Sequence, residues 1–419
     1  MAEIDKGLPN EVRTKVTVPS EEIEIKEEVT EKQPIEVIPE EDGGVTLDFE
    51  PGSINIPGTE SHFDNLADIL PEDVLAPIGG DMVQNYMDYK SSRKDWEQSY
   101  TQGLDLLGFK YENRTEPFQG ASGATHPVLA EAVTQFQAQA YKELLPSDGP
   151  VRTQIIGIKN AQTEQQAQRV KDYMNYLIMD QMKEYEEEFD SMLFHLPLAG
   201  STFKKVYYDV PLGRVVSKFV PADELIVPYT ATSIEDAEAV IHVVKMSENE
   251  LRKQIVNGFY ADVELTPPGN VEQNSVEKKE KELDGTKKVG KQDTVYTLLE
   301  CHVNLDLEGF EEVGADGQPT GVKLPYIVTV EEGSRTVLSI RRNFAPNDLK
   351  KNKIQYFVHF KFLPGLGFYG FGLIHMIGGL SRTATAALRQ LLDAGTLSNL
   401  PAGFKQRGVR VRDEAAPIQ

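Results

Sequence analysis

The longest regular pattern in the chain is an apolar stripe near its C-terminal end. Leu373, Ile377, Leu380, Ala384, Ala387, Leu391 and Ala394 step by four and three residues. That is the spacing of one face of an α-helix, and of the narrow seam by which a helix packs along a neighbour. It predicts a helix from about Gly372 to about Leu397, roughly 40 Å long at ~1.5 Å per residue. Gly378, Gly379, Ser381 and Ala386 are small, so neighbouring backbones can come close. Arg382, Arg389 and Asp393 interrupt the pattern. Charges at mid-bilayer are costly, so this helix is not a membrane span.

Earlier in the chain the same period recurs. Met82, Tyr86, Tyr89, Trp96, Tyr100, Leu104 and Leu107 predict a helix that ends at Gly108. A second helix places Leu129, Val133, Phe136, Ala140 and Leu144 inward. Val151 to Gly157 reads as a short strand. Thr163 with Gln166 forms an N-cap pattern for a third helix, whose buried side is expected to be Val170, Tyr173, Met174, Leu177, Gln181, Tyr185 and Phe189. The carboxylates Glu184, Glu186, Glu187 and Glu188 read as a solvated helix face rather than acid–base machinery.

From Gly200 the period shifts toward two. Residues 201–208 and 215–220 flank Pro211-Leu212-Gly213, a hairpin signal. Ala239 to Val244 is a further strand, and Ser247 with Glu250 caps a short helix to about Gly258. Residues 295–307, 326–330, 336–340 and 355–362 read as strands. The polar stretch 264–293 between them reads as a flexible surface insertion. The fold class that follows is α+β.

Composition narrows the chemistry. The single Cys301 excludes a disulfide framework and any multi-cysteine metal site. The seven histidines never pair at metal-ligand spacing, and no G-x-S-x-G elbow occurs. No cofactor or metal is expected. Net charge is −23, unevenly spread. Residues 1–50 hold 15 acidic and 5 basic residues. Residues 1–58 are therefore expected to form an acidic disordered tail, in which Val45 to Phe49 can order as a strand on a partner. Residues 349–419 hold 10 basic residues against 3 acidic ones. Overall acidity argues against a protein that clamps nucleic acid by neutralising phosphates. The basic cluster Lys405, Arg407, Arg410 and Arg412 leaves a local contact with an acidic partner open.

Before the long helix, Gly365-Leu366-Gly367-Phe368-Tyr369-Gly370 matches G-x-G-x-x-G between a strand and a helix. A dinucleotide site needs a second parallel strand after that helix. Leu397 to Pro401 is too short and turn-like to be one. The ordinary reading is a turn that redirects the chain. An oxidoreductase using residues 365–370 stays as an alternative, as does a scaffold or adaptor module without a channel.

Several runs together resemble the portal proteins of tailed bacteriophages, of the large type seen in short-tailed phages. They are Gly120-Ala121-Ser122-Gly123-Ala124-Thr125-His126-Pro127-Val128, Lys142-Glu143-Leu144-Leu145-Pro146, and Gly149-Pro150-Val151-Arg152-Thr153-Gln154. Leu196-Pro197-Leu198-Ala199-Gly200-Ser201, Phe219-Val220-Pro221-Ala222-Asp223 and Tyr369-Gly370 join them. The resemblance implies a non-enzymatic structural protein, a homo-oligomeric ring of twelve subunits at the capsid vertex of the virion, assembled in the host cytoplasm. Double-stranded DNA passes through such a ring without sequence-specific binding during packaging and ejection. Terminase, head-completion or tail-adaptor proteins, capsid and scaffold proteins are the implied partners, and no membrane is involved. By position, residues 59–362 resemble the wing, helical to about 200 and β-rich after it. Residues 363–399 resemble a stem helix whose stripe meets other subunits, and 400–419 the opening of a clip whose basic cluster meets the motor or adaptor. The family continues with the rest of the clip, a second stem helix, a channel helix and a crown. The sequence is therefore expected to be the N-terminal part of such a protein, with channel-lining residues beyond Gln419.

Overall fold

The structure, a computed structural model, describes residues 36–39, 45–48, 62–209, 212–265, 274–286, 295–312 and 318–399. The chain divides into Met1–Thr59 and Glu60–Gln419. In the first unit a two-stranded antiparallel ribbon is described, β1 (Glu36–Pro39) with β2 (Val45–Asp48), Glu36 opposite Asp48. The strand expected near Val45 is present, and its partner is the same chain.

In the second unit two antiparallel sheets carry the core, as the alternation after Gly200 anticipates. The smaller has the order β10-β3-β4, from β3 (Ser201–Asp209), β4 (Arg214–Pro221) and β10 (Phe357–Lys361). The larger has the order β5-β6-β7-β8-β9, from β5 (Leu225–Ile226), β6 (Ala239–Met246), β7 (Tyr296–Leu305), β8 (Leu324–Glu331) and β9 (Val337–Arg342). Ile241, Cys301, Val328 and Ile340 face one another across four successive strands, and all four are wholly buried. Such cross-strand rows are the unit of sheet stabilisation. The apolar bed buries Cys301 and pushes its thiol up, which makes it inert.

Helix α1 (Glu72–Ser92) covers this row with Met82, Val83 and Tyr86. The helix expected to run on to Gly108 breaks at Arg93 and restarts as α2 (Lys94–Leu104). Gly108 closes the following turn with φ 74°, a left-handed conformation glycine adopts cheaply. Helices α3 (Val128–Leu144) and α5 (Tyr185–Ala199) pack together, and α5 lies on the small sheet through Phe189, Met192 and Leu193. Leu129 and Val133 are inward as expected, but Leu144 is exposed. Helix α6 (Glu248–Val256) starts at Ser247, whose hydroxyl accepts from the Glu250 N–H at 3.3 Å.

Three further expectations fail. Residues 151–157 form no strand; the Val151 N–H and carbonyl bond to the Asn175 side chain instead. The third helix, α4 (Ala161–Tyr176), is capped by Asn160, with Thr163 as the reciprocal member of the capping box. It buries none of its residues. A π-turn at Leu177–Gln181 separates it from α5, so Val170 and Tyr173 lie apart from the core that Phe189 joins. Finally, the insertion expected to be flexible contains α7 (Ser275–Leu283). Its Val276 is wholly buried among Tyr100, Leu104 and Ile374. Lys279–Asp105 (2.6 Å) and Lys110–Glu282 (2.8 Å) fasten it further. Residues 266–273 and 287–294 lie outside the described residues.

Candidate functional site: the long helix and its seat

Helix α8 (Leu373–Asn399) is the helix that the apolar stripe predicts. Its start is fixed by backbone touching backbone. A Cβ on Gly200 would collide with Gly372, one on Gly370 with the Gly200 carbonyl, and one on Gly372 with the Leu198 carbonyl. The Gly370 N–H donates to Ser201 Oγ at 2.7 Å, and the Phe362 N–H donates to the Gly200 carbonyl at 3.0 Å. Leu363 and Phe371 pair across the mouth of the glycine turn. Phe368 fills the turn, with ring centroids 5.9 Å from Phe203 and 4.8 Å from His359. Burial pushes His359 down to about 3.

This geometry decides the role of the G-x-G-x-x-G match. The strand before it, β10, pairs antiparallel with β3, and α8 runs to Asn399 without a returning parallel strand among the described residues. The turn is packed with aromatic rings and leads into a helix preceded by Gly372, whose N–H donates to His375 Nδ1 at 3.1 Å. It redirects the chain.

Along α8 the buried side starts apolar and turns polar toward the C-terminal end. Ile374, Gly378, Ser381, Thr385 and Asp393 face the body of the chain. Thr385 Oγ1 accepts from the His126 N–H at 3.1 Å, and Asp393 Oδ1 accepts from the Ser122 N–H at 2.6 Å. Arg389 Nε donates to the Ala124 carbonyl at 2.7 Å, and the same guanidinium reaches Thr125 Oγ1 at 3.1 Å and Glu112 at 3.0 Å. Thr385, Arg389 and Asp393 all reach one loop, Gly120 to Pro127. Its backbone would otherwise be short of partners, since a loop makes no ladder of its own. Gly123 lets that loop lie against Glu112, where a Cβ would strike the Glu112 carbonyl.

The predicted stripe lies elsewhere on the helix. Leu380 is 70% exposed and Leu391 72% exposed, and Ala387 and Ala394 are also exposed. Leu373, Ile377 and Ala384 are half-buried. At 3.6 residues per turn, a shift of one residue turns a face by about 100°. The buried row 374, 378, 381, 385 is the stripe 373, 377, 380, 384 shifted by one. Two of the interrupting residues, Arg389 and Asp393, thus help hold the helix to its own chain, and Leu380 and Leu391 of the apolar seam are left open.

Two further buried clusters support this seat. Arg93 spans the gap between α1 and α2. Its guanidinium donates to Glu97 (2.9 Å), to the carbonyls of Ala222 (2.9 Å), Leu225 (2.8 Å) and Asp223, and to the Tyr369 hydroxyl (3.0 Å). Trp96 stacks on Tyr369 at 4.7 Å. One buried arginine therefore ties the turn after β4 to the glycine turn before α8. Between the sheets, Glu300 accepts from Lys205 Nζ at 2.5 Å and contacts His302 Nε2 at 2.8 Å. Burial by itself would raise this carboxyl, but Lys205 and the two histidines His242 and His302 hold it well below its ordinary range. Burial depresses His242, so Lys205 supplies the countercharge.

A family model described as phage SU10 portal protein matches residues 202–414, just over half of the chain. The chain belongs to the phage portal protein family. No curated protein matches it. The portal match runs from β3 through α8 and onward to residues outside the described ones. Four of the six runs that carry the sequence resemblance lie at α8 or at the turns leading into it. Gly120–Val128 is the loop that α8 grips, and Leu196–Ser201 and Tyr369-Gly370 form its glycine-packed start. Phe219–Asp223 ends in the turn held by Arg93. The basic cluster Lys405, Arg407, Arg410 and Arg412 lies outside the described residues. Among the described residues no helix is long and apolar enough to cross a membrane.

Sequence reasoning missed Arg93, Thr385 and Asp393. A faint signal existed for Asp393, a charge recurring within a helix that is otherwise apolar and small. Arg93 had none, because its partners are mostly backbone carbonyls.

Proposed function

We propose that this chain is the ring-forming subunit of a phage portal, and that α8 is its stem helix. The observation that supports this most is the burial of α8: Thr385, Arg389 and Asp393 bond within the chain, and Leu380 and Leu391 on the apolar side are open. Soluble monomers bury the apolar stripe of a helix and expose the polar one. An uncovered seam of leucine and alanine fits a copy of the same chain, the arrangement a ring supplies. Leu373, Ile377, Leu380, Ala384, Ala387, Leu391 and Ala394 are then the contact residues of the stem.

In this reading the ring sits at the capsid vertex, and DNA moves through its centre during packaging and ejection. The net charge of −23 suits a channel that lets DNA slide, because phosphate neutralisation would hold it. Terminase and, later, head-completion proteins dock on the clip, where Lys405, Arg407, Arg410 and Arg412 meet acidic surface. Negative-stain microscopy of the purified protein tests the reading. Rings with a central opening are expected; a population of monomers at all concentrations would refute it.

A further inference from the structure

One buried cluster of charged and titratable groups joins the two sheets of the second unit. Glu300 and His302 lie two residues apart on β7, and His242 on β6 stands opposite Glu300 in register, so the three share one face of the large sheet. Lys205 comes from β3 of the small sheet, and its Nζ donates to both Glu300 oxygens, at 2.7 and 2.5 Å. His302 Nε2 lies 2.8 Å from Glu300 Oε1. His242 Nδ1 lies 3.8 Å from Glu300 Oε2 and is buried without a hydrogen-bond partner among the described residues. Phe357 of β10 sets its ring against both histidines, with centroids 5.4 and 5.2 Å away. None of the four polar side chains is more than 17% exposed. In that space one carboxylate and one ammonium cancel, and a further charge is costly.

We propose that this cluster is an acid-operated tie between the two sheets. When His242 takes a proton from solvent, an imidazolium N–H faces Oε2, the oxygen that Lys205 holds most closely. One carboxylate then meets two cations in a buried site, and the like charges repel. Lys205 is the member that leaves, because it alone belongs to the other sheet and carries its charge on a flexible stem. His242 becomes the countercharge of Glu300 within the large sheet, and the small sheet is let go. The small sheet carries the root of α8, since β3 begins beside Gly200 and β10 leads into the glycine turn. The tie therefore sets how that root is held to the large sheet. Tyr207 on β3, Tyr260 after α6 and Tyr356 before β10 also face Glu300, and burial raises all three, so they stay neutral in acid. Lys218 on β4 stands opposite Lys205 and is exposed, and Cys301 points to the other face of the large sheet. Burial, and then Lys205, hold His242 below the ordinary histidine range. A histidine lowered in the tied state gains a proton on release, so the tie is full above about pH 6.5 and weakens roughly tenfold per pH unit below it.

The test follows amide exchange in β3 and β10 of the full chain, corrected for intrinsic rates, at about pH 8 and about pH 5. Glu300 stays ionised at both, because Lys205 and the histidines hold it well below the carboxylate range. His195 and His359 on the small sheet's side are also lowered by burial, so the readout is the effect of Lys205 alone at each pH. Lys205→Met should speed exchange in both strands by roughly a hundredfold at the higher pH, as for a buried charge left unpaired. It should hardly change exchange at the lower pH, where the tie is already open. With His242→Gln added, its effect should persist at the lower pH. An effect of Lys205→Met that is equal at both pH values, or absent at the higher one, would overturn the tie. Loss of the effect at the lower pH in both backgrounds would overturn the role of His242. Isotope-labelled histidine in the unaltered chain supplies a readout that needs no variant. The His242 ring should titrate as β3 loses protection, and a ring that stays neutral while β3 opens would overturn the proposal.

Discussion

Asp393 on α8 accepts a hydrogen bond from the backbone N–H of Ser122 at 2.6 Å, across 271 positions of sequence. It converts a charge that interrupts the apolar stripe into the lock on a loop. Charge-assisted bonds of this kind contribute about 1.5–3 kcal/mol. Asp393→Ala should therefore destabilise the second unit by about 1–3 kcal/mol and raise amide exchange in residues 120–126 ahead of the rest. Unchanged exchange in that loop would show that the bond carries no load.

Arg93→Met should cost far more than a surface charge deletion. It leaves Glu97 buried without its cation, and the Ala222, Asp223 and Leu225 carbonyls without a shared donor. Breaking a buried pair on one side costs about 3–5 kcal/mol. The double variant Arg93→Met/Glu97→Gln should recover part of the loss in urea denaturation. An additive double variant would mean that the arginine acts through its carbonyl contacts alone.

The docking of α7 should weaken as pH rises. Burial, then Asp223 and Glu224, push Glu280 up to about 8, and burial and Asp223 push Glu224 up to about 7. Lys245 faces the same cluster, lowers Glu224 in part and pairs with Glu277. A carboxyl raised in the folded state stabilises fully below its unfolded value and loses that contribution as pH climbs through the folded one. Protection of the α7 amides, corrected for intrinsic exchange, should then fall between about pH 5 and 8. Glu280→Gln should flatten this dependence and stabilise the protein at pH 8 by on the order of 1 kcal/mol. Equal slopes in the two proteins would exclude Glu280 as the source.

Much of the fold was legible because it rests on local period. The pairing of β3 with β4, the Ser247 cap and the span of α8 follow from neighbouring residues. Burial was less legible, since period states which residues share a face and not what covers it. Val170 and Tyr173 share a face with the spacing of a core helix, yet they stand on a helix that buries none of its residues. Leu380 and Leu391 form the expected stripe, but the chain's own contacts go to Thr385, Arg389 and Asp393. The Arg93 hub could not be read at all, because carbonyls 129 to 132 positions away leave no trace in side-chain pattern.

Charge reversal at Arg410 and Arg412 should slow motor docking and reduce DNA packaging while rings still assemble. Contacts of this type steer association and weaken with salt. Packaging by the double variant equal to wild type at low and high salt would mark the cluster as ordinary solvated surface.

The most direct measurement is the mass in solution of the intact protein beside its Leu380→Asp and Leu391→Asp variants, with melting temperatures taken on the same samples. Both leucines are exposed in the single chain, so neither change should move the melting temperature of the isolated subunit. An unpaired carboxylate buried in a subunit contact is costly, so both should shift the assembly from ring mass to monomer mass. Rings of unchanged mass from either variant would contradict the assignment of α8 as the contact that builds the portal.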